Sequence, residues 1–397
     1  MSQEFGALII IIKIKSILKE LFYEKKFLVL PKLGINRAIF KLGGIASLSI
    51  ALVFLISIKK SYACSRILYH GDGIEITGRS NDWYNSQHNN FWVYPRGLER
   101  NGASGSNTIK WTSKYGSITL GGYDVTTIDG LNEKGLSVNV LYLSEADYGT
   151  ITKDDKRKSM SLAAWGQYTL DNFATVKEVV DAFKKNEFYI TQVDTPDGHA
   201  GKAHLSISDP TGDSAIFEYV KGELVIHHGS QYQVMTNSPE FDKQLTLTNY
   251  WETIGGTTFL PGTNKAADRF VRGSFYLKAI PKPKSDEESL AAVMSVVRNI
   301  SVPLGITTPG QPNISSTQWR ILADHKNLAY YLESPRSPYM IWTKISDFDF
   351  SPGSSTKKLT LTEGSTFEKD GKFVYGNVSD YFVDAIPFEF LGAPAVK

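Results

Sequence analysis

The chain of 397 residues contains a single cysteine, Cys64. No disulfide can form within it, so any fold it adopts must be held by a packed apolar core and by hydrogen bonds. The material for such a core is present, because 42% of the residues are hydrophobic and 12% aromatic, against 21% charged. That composition excludes low-complexity disorder, a collagen-like chain and a disulfide scaffold. An all-membrane protein is excluded as well, since there is only one long uncharged apolar run. The lone thiol has two explanations. Either the chain resides in a reducing compartment, or the residue is kept for its reactivity.

The position of the cysteine bears on that choice. Residues 42–58 carry no charge and follow a basic segment with Lys32, Arg37 and Lys41. After them come Lys59, Lys60, Ser61, Tyr62, Ala63 and then Cys64. A basic region, an apolar region and a small-x-small ending with Ser61 and Ala63 read as a secretory signal. Cleavage after Ala63 would leave Cys64 as the first residue of a periplasmic or secreted chain. The same run is near the lower limit for spanning a bilayer, so an uncleaved membrane anchor is the competing reading. A lipoprotein signal fits less well, because Ser61 stands where an aliphatic residue is needed. On the first reading, residues 1–63 are a leader that is removed and residues 64–397 form one catalytic domain. Contact with a membrane is then confined to the leader before cleavage.

Charge divides along the same boundary. The chain is net +2, but residues 1–63 hold ten Lys/Arg against Glu4, Glu20 and Glu24, leaving the remainder at −5. A mildly acidic body has no basic footprint for nucleic acid, which is excluded as a partner.

The body shows no low-complexity linker and no fixed-period repeat. Strand-like alternation covers residues 74–81, 117–123 and 125–131, and a turn at Asn132-Glu133-Lys134-Gly135 leads into 136–143 as a hairpin. Thr175 and Glu178 form a capping box, with Val176, Val179, Val180 and Phe183 on one helical stripe. Strands are predicted at 203–208, 214–220, 224–227 and 231–235. Two helices follow, at 266–277 with Phe270, Val271, Ser274 and Phe275 on one side, and at 285–300. The second has a Ser285/Glu288 capping box and a stripe of Leu290, Val293, Met294 and Val297. Strands return at 319–323, 328–332 and 340–343. Elements that cluster by type, rather than alternate, point to an α+β fold of stacked layers with largely antiparallel sheets.

A cysteine released at the N-terminus carries both a nucleophile and a base. The thiol is intrinsically nucleophilic, and the α-amine, with an ordinary pKa of about 7.7–8.0, can accept its proton directly or through water. No catalytic histidine is then required. The seven histidines make no metal-ligand spacing, and the neighbours His227 and His228 point to opposite faces of a strand. No G-x-S-x-G, Walker or G-x-G-x-x-G motif occurs.

Several stretches resemble the choloylglycine hydrolase family, which holds penicillin V acylases and conjugated bile salt hydrolases among the N-terminal-nucleophile hydrolases. Cys64-Ser65-Arg66 and Thr77-Gly78-Arg79-Ser80-Asn81-Asp82-Trp83 match its start. Asp129-Gly130-Leu131-Asn132-Glu133-Lys134-Gly135-Leu136 follows, then Thr236-Asn237-Ser238-Pro239 with Phe241-Asp242, Leu260-Pro261-Gly262 and Arg269-Phe270-Val271-Arg272. No one stretch is specific; their shared order from Cys64 to Arg272 is. The resemblance implies a four-layer αββα sandwich and hydrolysis of linear amide C–N bonds in small N-acyl compounds. It implies no metal or organic cofactor, and a homo-oligomer, a tetramer in the family.

Carried over residue by residue, Cys64 matches the nucleophile, and Arg79 and Asp82 match the flanking pair. Asp82 would hold the α-amine and the Arg79 guanidinium would favour thiolate. Asn237 matches the oxyanion side chain and Tyr142 the backbone donor beside it. Arg269 matches the last arginine of the charge network. The sequence departs from the family where Asp268 replaces a more usual Ser. It also has a shorter stretch between Asn237 and Arg269, lacking an insertion used in assembly. Trp83, Tyr84 and Tyr142, with Phe91 and Trp92 nearby, predict an aromatic substrate rim. Such a rim suits a phenoxyacetyl or fatty acyl group, as in penicillin V or an N-acyl homoserine lactone, better than a conjugated steroid. Bile salt hydrolysis is the alternative activity, and a membrane-anchored binding protein that has lost activity is the alternative class.

Overall fold

Asp72 and Gly73 both have positive φ, 60° and 74°, so they form a two-residue turn of the type that matches strand twist. The turn folds the strand Ala63–Gly71 (β1) back on Ile74–Asp82 (β2), and pairing runs without a slip from Gly71↔Ile74 to Cys64↔Asn81 and Ala63↔Asp82. A tight turn thus fixes what stands beside Cys64 at the far end of the hairpin. The computed structural model describes residues 63–152, 154–308 and 311–392. The leader expected at 1–63, with its apolar run at 42–58 and Ser61, lies outside the described residues apart from the backbone of Ala63. No helix among the described residues is long and apolar enough to cross a membrane.

The hairpin belongs to a seven-stranded sheet. Its spatial order is Val234–Thr236, β1, β2, Thr317–Asp324, Ala329–Glu333, Met340–Lys344 and Gly376–Asn377, antiparallel except for the last pair. A second sheet has nine antiparallel strands in the order Glu223–His228, Ser214–Val220, Ala203–Ser208, Ser137–Tyr142, Thr126–Asn132, Ser117–Gly122, Asn90–Tyr94, Lys357–Leu359 and Val383–Asp384. Among the described residues five α-helices complete the layers: Trp165–Asn172 (α1), Val176–Phe183 (α2), Phe241–Ile254 (α3), Ala266–Ala279 (α4) and Asp286–Asn299 (α5).

Three apolar clusters define how these pack. Phe91, Val93, Ile118, Leu120 and Leu131 of the second sheet meet Trp319, Ile321, Tyr330 and Leu332 of the first. The outer face of the second sheet, with Val138, Leu205 and Phe217, is covered by Leu170 of α1 and Val176, Val179, Val180 and Phe183 of α2. The outer face of the first, with Ile67 and Leu322, is covered by Phe270 of α4 and Val293, Met294 and Val297 of α5. The result is the αββα sandwich of the N-terminal-nucleophile hydrolases. Gly78 on β2 is required by the last contact: a Cβ there would lie 2.5 Å from Val297 Cγ2, so only glycine lets α5 settle on the strand.

The N-caps hold as read, but Glu178 and Glu288 reach back one residue further than a capping box, accepting from the backbone N–H of Ala174 and Lys284. Thr175 and Ser285 each accept a hydrogen bond from a backbone N–H at their helix N-termini, those of Glu178 and Glu288. Two helices escape the sequence reading. In α3 the buried positions are Phe241, Gln244 and Thr248, so the inward face is largely polar and offers no apolar stripe. In α1 the buried residues include Gly166, Gln167, Thr169 and Asp171, with the same effect.

Candidate active site

The site begins from the ladder. Cys64 pairs with Asn81 on one side, and on the other side Ser65 pairs with Thr236, so Asn237 emerges directly beside the cysteine. The backbone nitrogen of Cys64 donates to Asn237 Oδ1. Asn237 Nδ2 donates to the carbonyl of Tyr142 at 2.6 Å. An amide nitrogen carries two hydrogens, and Tyr142 takes one of them. Asn237 is itself fixed from behind, because Gln244 Nε2 on α3 donates to its carbonyl and to that of Pro239 at 2.6 Å. The polar inward face that hides α3 from sequence reading is thus the face that supports this loop.

Tyr142 ends its strand opposite Ala203, and the next residue, Leu143, donates its N–H to Lys202. Antiparallel alternation therefore turns the N–H and C=O of Tyr142 away from the Ala203 strand, towards the side where Asn237 stands. On that side the sheet is split. Thr126–Asn132 and Ser137–Tyr142 pair only from Asp129↔Asn139 to Leu131↔Ser137. Beyond this point Arg79 fills the gap, donating to the carbonyls of Ile128 at 2.6 Å and Val140 at 2.8 Å.

Alternation along β2 sends Arg79 and Asn81 to the inner side, between the sheets, and Ser80 and Asp82 to the outer side, under the helices. On the inner side, Cys64 Sγ lies 3.6 Å from Asn81 Oδ1, which also accepts from Arg79 Nη2 at 3.4 Å. Arg79 is further held by Asp129 at 3.0 Å, and Asp129 accepts from Asn139 and from the hydroxyl of Tyr330. Burial raises the Asp129 pKa and the Arg79 charge opposes that rise. Arg79 thus reaches the sulfur through Asn81, a residue within the recognised stretch to which sequence reading gave no role. Its signal was there: it shares a strand face with Arg79.

The outer side carries a second charge pair. Asp82 accepts from Thr317 at 2.5 Å and Ser80 at 3.3 Å, and lies 3.7 Å from Arg269. Arg269, on α4, donates to the Cys64 carbonyl at 2.7 Å, to Ser65 Oγ and to Asn237 Oδ1 at 3.1 Å. Both side chains are fully buried. Burial pushes the Asp82 carboxyl up to about 6, with Arg269 and the hydroxyl donors pulling the other way, and it lowers the Arg269 pKa. The nitrogen that Asp82 was expected to hold donates instead to Asn237; here it is a peptide nitrogen, following Ala63.

Cys64, Arg79, Asn81, Trp83 and Tyr142 line a cleft of about 800 Å³, counting its open mouth. Its walls are mostly apolar, with Ile128, Val140, Leu141, Leu162, Val193 and Leu391. The predicted aromatic rim needs correction. Trp83 lines the cleft, with its ring 6.0 Å from that of Tyr142. Tyr84 stands outside the lining and packs against Trp83, its ring tilted by 43° at 5.8 Å. Phe91 and Trp92 are core residues, because a strand sends Phe91 between the sheets and Trp92 to the opposite face against Tyr94 and Phe388.

A nucleophile candidate lining an apolar cleft, beside an amide side chain, fits acyl transfer. A family model for linear amide C–N hydrolases of the choloylglycine hydrolase family matches residues 64–356. The chain belongs to the choloylglycine hydrolase family. It is 45% identical over 354 residues to a penicillin V acylase of Pectobacterium atrosepticum, covering 84% of this chain and 93% of that one. A bile salt hydrolase/transferase of Clostridium perfringens is 27% identical over 290 residues, covering 66% and 85%. Among solved structures, penicillin V acylase from Agrobacterium tumefaciens superposes with a TM-score of 0.76 at 50% identity, covering 83% of this chain and all of that one. Conjugated bile acid hydrolase from Clostridium perfringens has a TM-score of 0.64 at 23% identity, covering 77% and 99%, and shares the fold. As a choloylglycine hydrolase, the chain is a linear amide C–N hydrolase of the penicillin V acylase type. The family match begins at Cys64, the residue on which the cleft converges.

Proposed function

We propose that the chain is exported, loses residues 1–63, and hydrolyses N-acyl amides with an aromatic or fatty acyl group through a thioester on Cys64. Penicillin V is the first candidate substrate and N-acyl homoserine lactones are the second. The observation that carries this reading is the bond from Cys64 N to Asn237 Oδ1 at the end of the cleft. It puts the nitrogen that becomes the α-amine, the thiol of the same residue and the Asn237–Tyr142 pair around one point.

The cycle then runs as follows. The α-amine takes the thiol proton, and the thiolate adds to the amide carbonyl. Negative charge develops on the carbonyl oxygen, where the second Asn237 Nδ2 hydrogen and the Tyr142 N–H stabilise it. The C–N bond breaks as the α-ammonium returns its proton to the leaving amine, and the acyl group stays on Cys64. Water, deprotonated by the α-amine, adds to the thioester and releases the carboxylic acid and the thiol. Arg79 and Asn81 set the polarity around the sulfur. Asp82 and Arg269 fix the backbone that carries it.

The apolar walls with Trp83 support an uncharged acyl group in the cleft. The bile salt hydrolase relative makes conjugated bile salts the second reading. Turnover of penicillin V and glycocholate measured side by side separates the two: the proposal requires a higher kcat/KM for penicillin V, and a preference for glycocholate reverses it. The family's tetramer is carried over here as a proposal, checked by sedimentation of the mature chain.

A further inference from the structure

The loop that walls the cleft has its own anchor, and the catalytic cycle does not use it. Residues Val193, Asp194, Thr195, Pro196, Gly201 and Lys202 line the same cleft as Trp83. Within that stretch Thr195-Pro196-Asp197-Gly198 makes a tight turn: Gly198 has φ 83° and donates to the Thr195 carbonyl at 2.8 Å, and Thr195 donates to the His199 carbonyl at 2.7 Å. The turn aims Asp197 at the aromatic pair. Asp197 Oδ2 accepts from Trp83 Nε1 at 3.1 Å and from the Tyr84 hydroxyl at 3.1 Å, while Oδ1 accepts from Thr195 Oγ1 at 2.5 Å. His199, whose Nδ1 lies 3.4 Å from Oδ1, sets its ring edge-on to Trp83 at 5.5 Å and against Tyr84 at 5.2 Å.

We infer that Asp197 is a specificity-positioning residue: its carboxylate latches the 193–202 loop to Trp83 and Tyr84 and so sets the width of the acyl pocket. The inference rests on the amide-hydrolase reading of the cleft proposed above. A carboxylate has two oxygens and can accept from several donors at once, so one group ties two ring donors of the β2 end to the loop's own turn. Burial alone would raise the Asp197 pKa, but the donors Thr195, Trp83 and Tyr123 and the nearby His199 hold it at about 2, so it is ionised at neutral pH. Trp83 lines the cleft from the end of β2, and Val193 and Pro196 line it from the loop. Their separation is fixed by the bonds that Asp197 makes, so releasing it should widen the pocket while leaving Cys64, Asn237 and Tyr142 in place. This also gives Tyr84 a role, although it stands outside the lining: it is the second anchor point.

The test uses the mature enzyme with Asp197→Ala, penicillin V and a decanoyl homoserine lactone as probes, and amide hydrogen exchange as a readout that needs no turnover. In the variant, exchange protection of 193–202 should fall by about tenfold while β1 and β2 keep theirs. The KM for penicillin V should rise by about tenfold with kcat changed less than about twofold, and the ratio of kcat/KM between the two acyl groups should shift towards the longer one. Unchanged protection of the loop overturns the latch. Reduced protection with an unchanged ratio overturns the role in specificity, as does an equal loss of kcat for both substrates. If Asp197→Ala does not fold, Tyr84→Phe removes one of the two ring donors and should move the same ratio by a smaller factor; no movement overturns the inference. A wild-type enzyme that turns over neither probe defeats the substrate assignment instead, and hydrogen exchange then decides the latch by itself.

Discussion

The two faces of the β1–β2 hairpin hold the same kinds of residue and do different things. On the inner face a relay runs from the sulfur of Cys64 to an amide, an arginine and an acid (Asn81, Arg79 and Asp129), and the cleft opens beside it. On the outer face an arginine paired with an acid (Arg269 with Asp82) grips the backbone carbonyl of Cys64 and the side chains of Ser65 and Asn237, under α4 and away from the cleft. Strand alternation makes the division, since residues 79 and 81 point one way and 80 and 82 the other. Proximity to Cys64 therefore does not by itself assign a role. The inner set can act on a reacting group; the outer set acts on position.

That contrast predicts separable effects. On the inner face, Cys64→Ala in the mature enzyme should lower kcat by at least about 10⁴-fold while leaving the denaturation midpoint close to wild type. Retained activity would remove the nucleophile, and a large stability loss would mean that the inner face is also structural. On the outer face, Arg269→Met should cost about 3–5 kcal/mol in urea unfolding, because it strips a buried cluster of its only bridging cation among the described residues. A stability change below about 1 kcal/mol would contradict the positioning role.

The smallest effect depends on pH. The Asp82 carboxyl has a folded pKa raised to about 6 from the ordinary 3.8, so the folded state keeps a proton that the unfolded state has lost. Stability from this group is therefore greatest below pH 4 and declines as pH rises through 6. Asp82→Asn lacks the ionisation. Its unfolding free energy relative to wild type should improve between pH 4 and pH 7, by on the order of 3 kcal/mol. A difference that stays constant with pH would mean that Arg269 pairs with a carboxylate ionised throughout.

Much of this architecture is legible in the sequence, and the limits have physical causes. The N-caps at Thr175 and Ser285 and the hairpin at Asn132–Gly135 are local signals, and local structure obeys them. The layer order follows because the elements cluster by type. Helices α1 and α3 were hidden because Gln, Thr and Asp interrupt their buried faces, serving hydrogen bonds to neighbouring strands in α1 and to the loop after Thr236 in α3. The aromatic residues 83, 84, 91 and 92 form one patch by composition. They part in space because 83 and 84 lie past the end of β2, whereas 91 and 92 lie within a central strand. The partners furthest from view were Asn81 and Asp197. Asn81 shares a strand face with Arg79, but Asp197 is joined to Trp83 across 114 residues of chain, and no periodicity reports that contact.

The central claim is that Cys64 acts as an N-terminal residue. Intact-mass analysis of the purified native protein, before and after brief exposure to penicillin V under acid quench, tests it most directly. The account predicts a mature chain starting at Cys64 and, after quench, a fraction heavier by the phenoxyacetyl group, absent from Cys64→Ala. A chain that retains Ala63 and still turns over the substrate would contradict it.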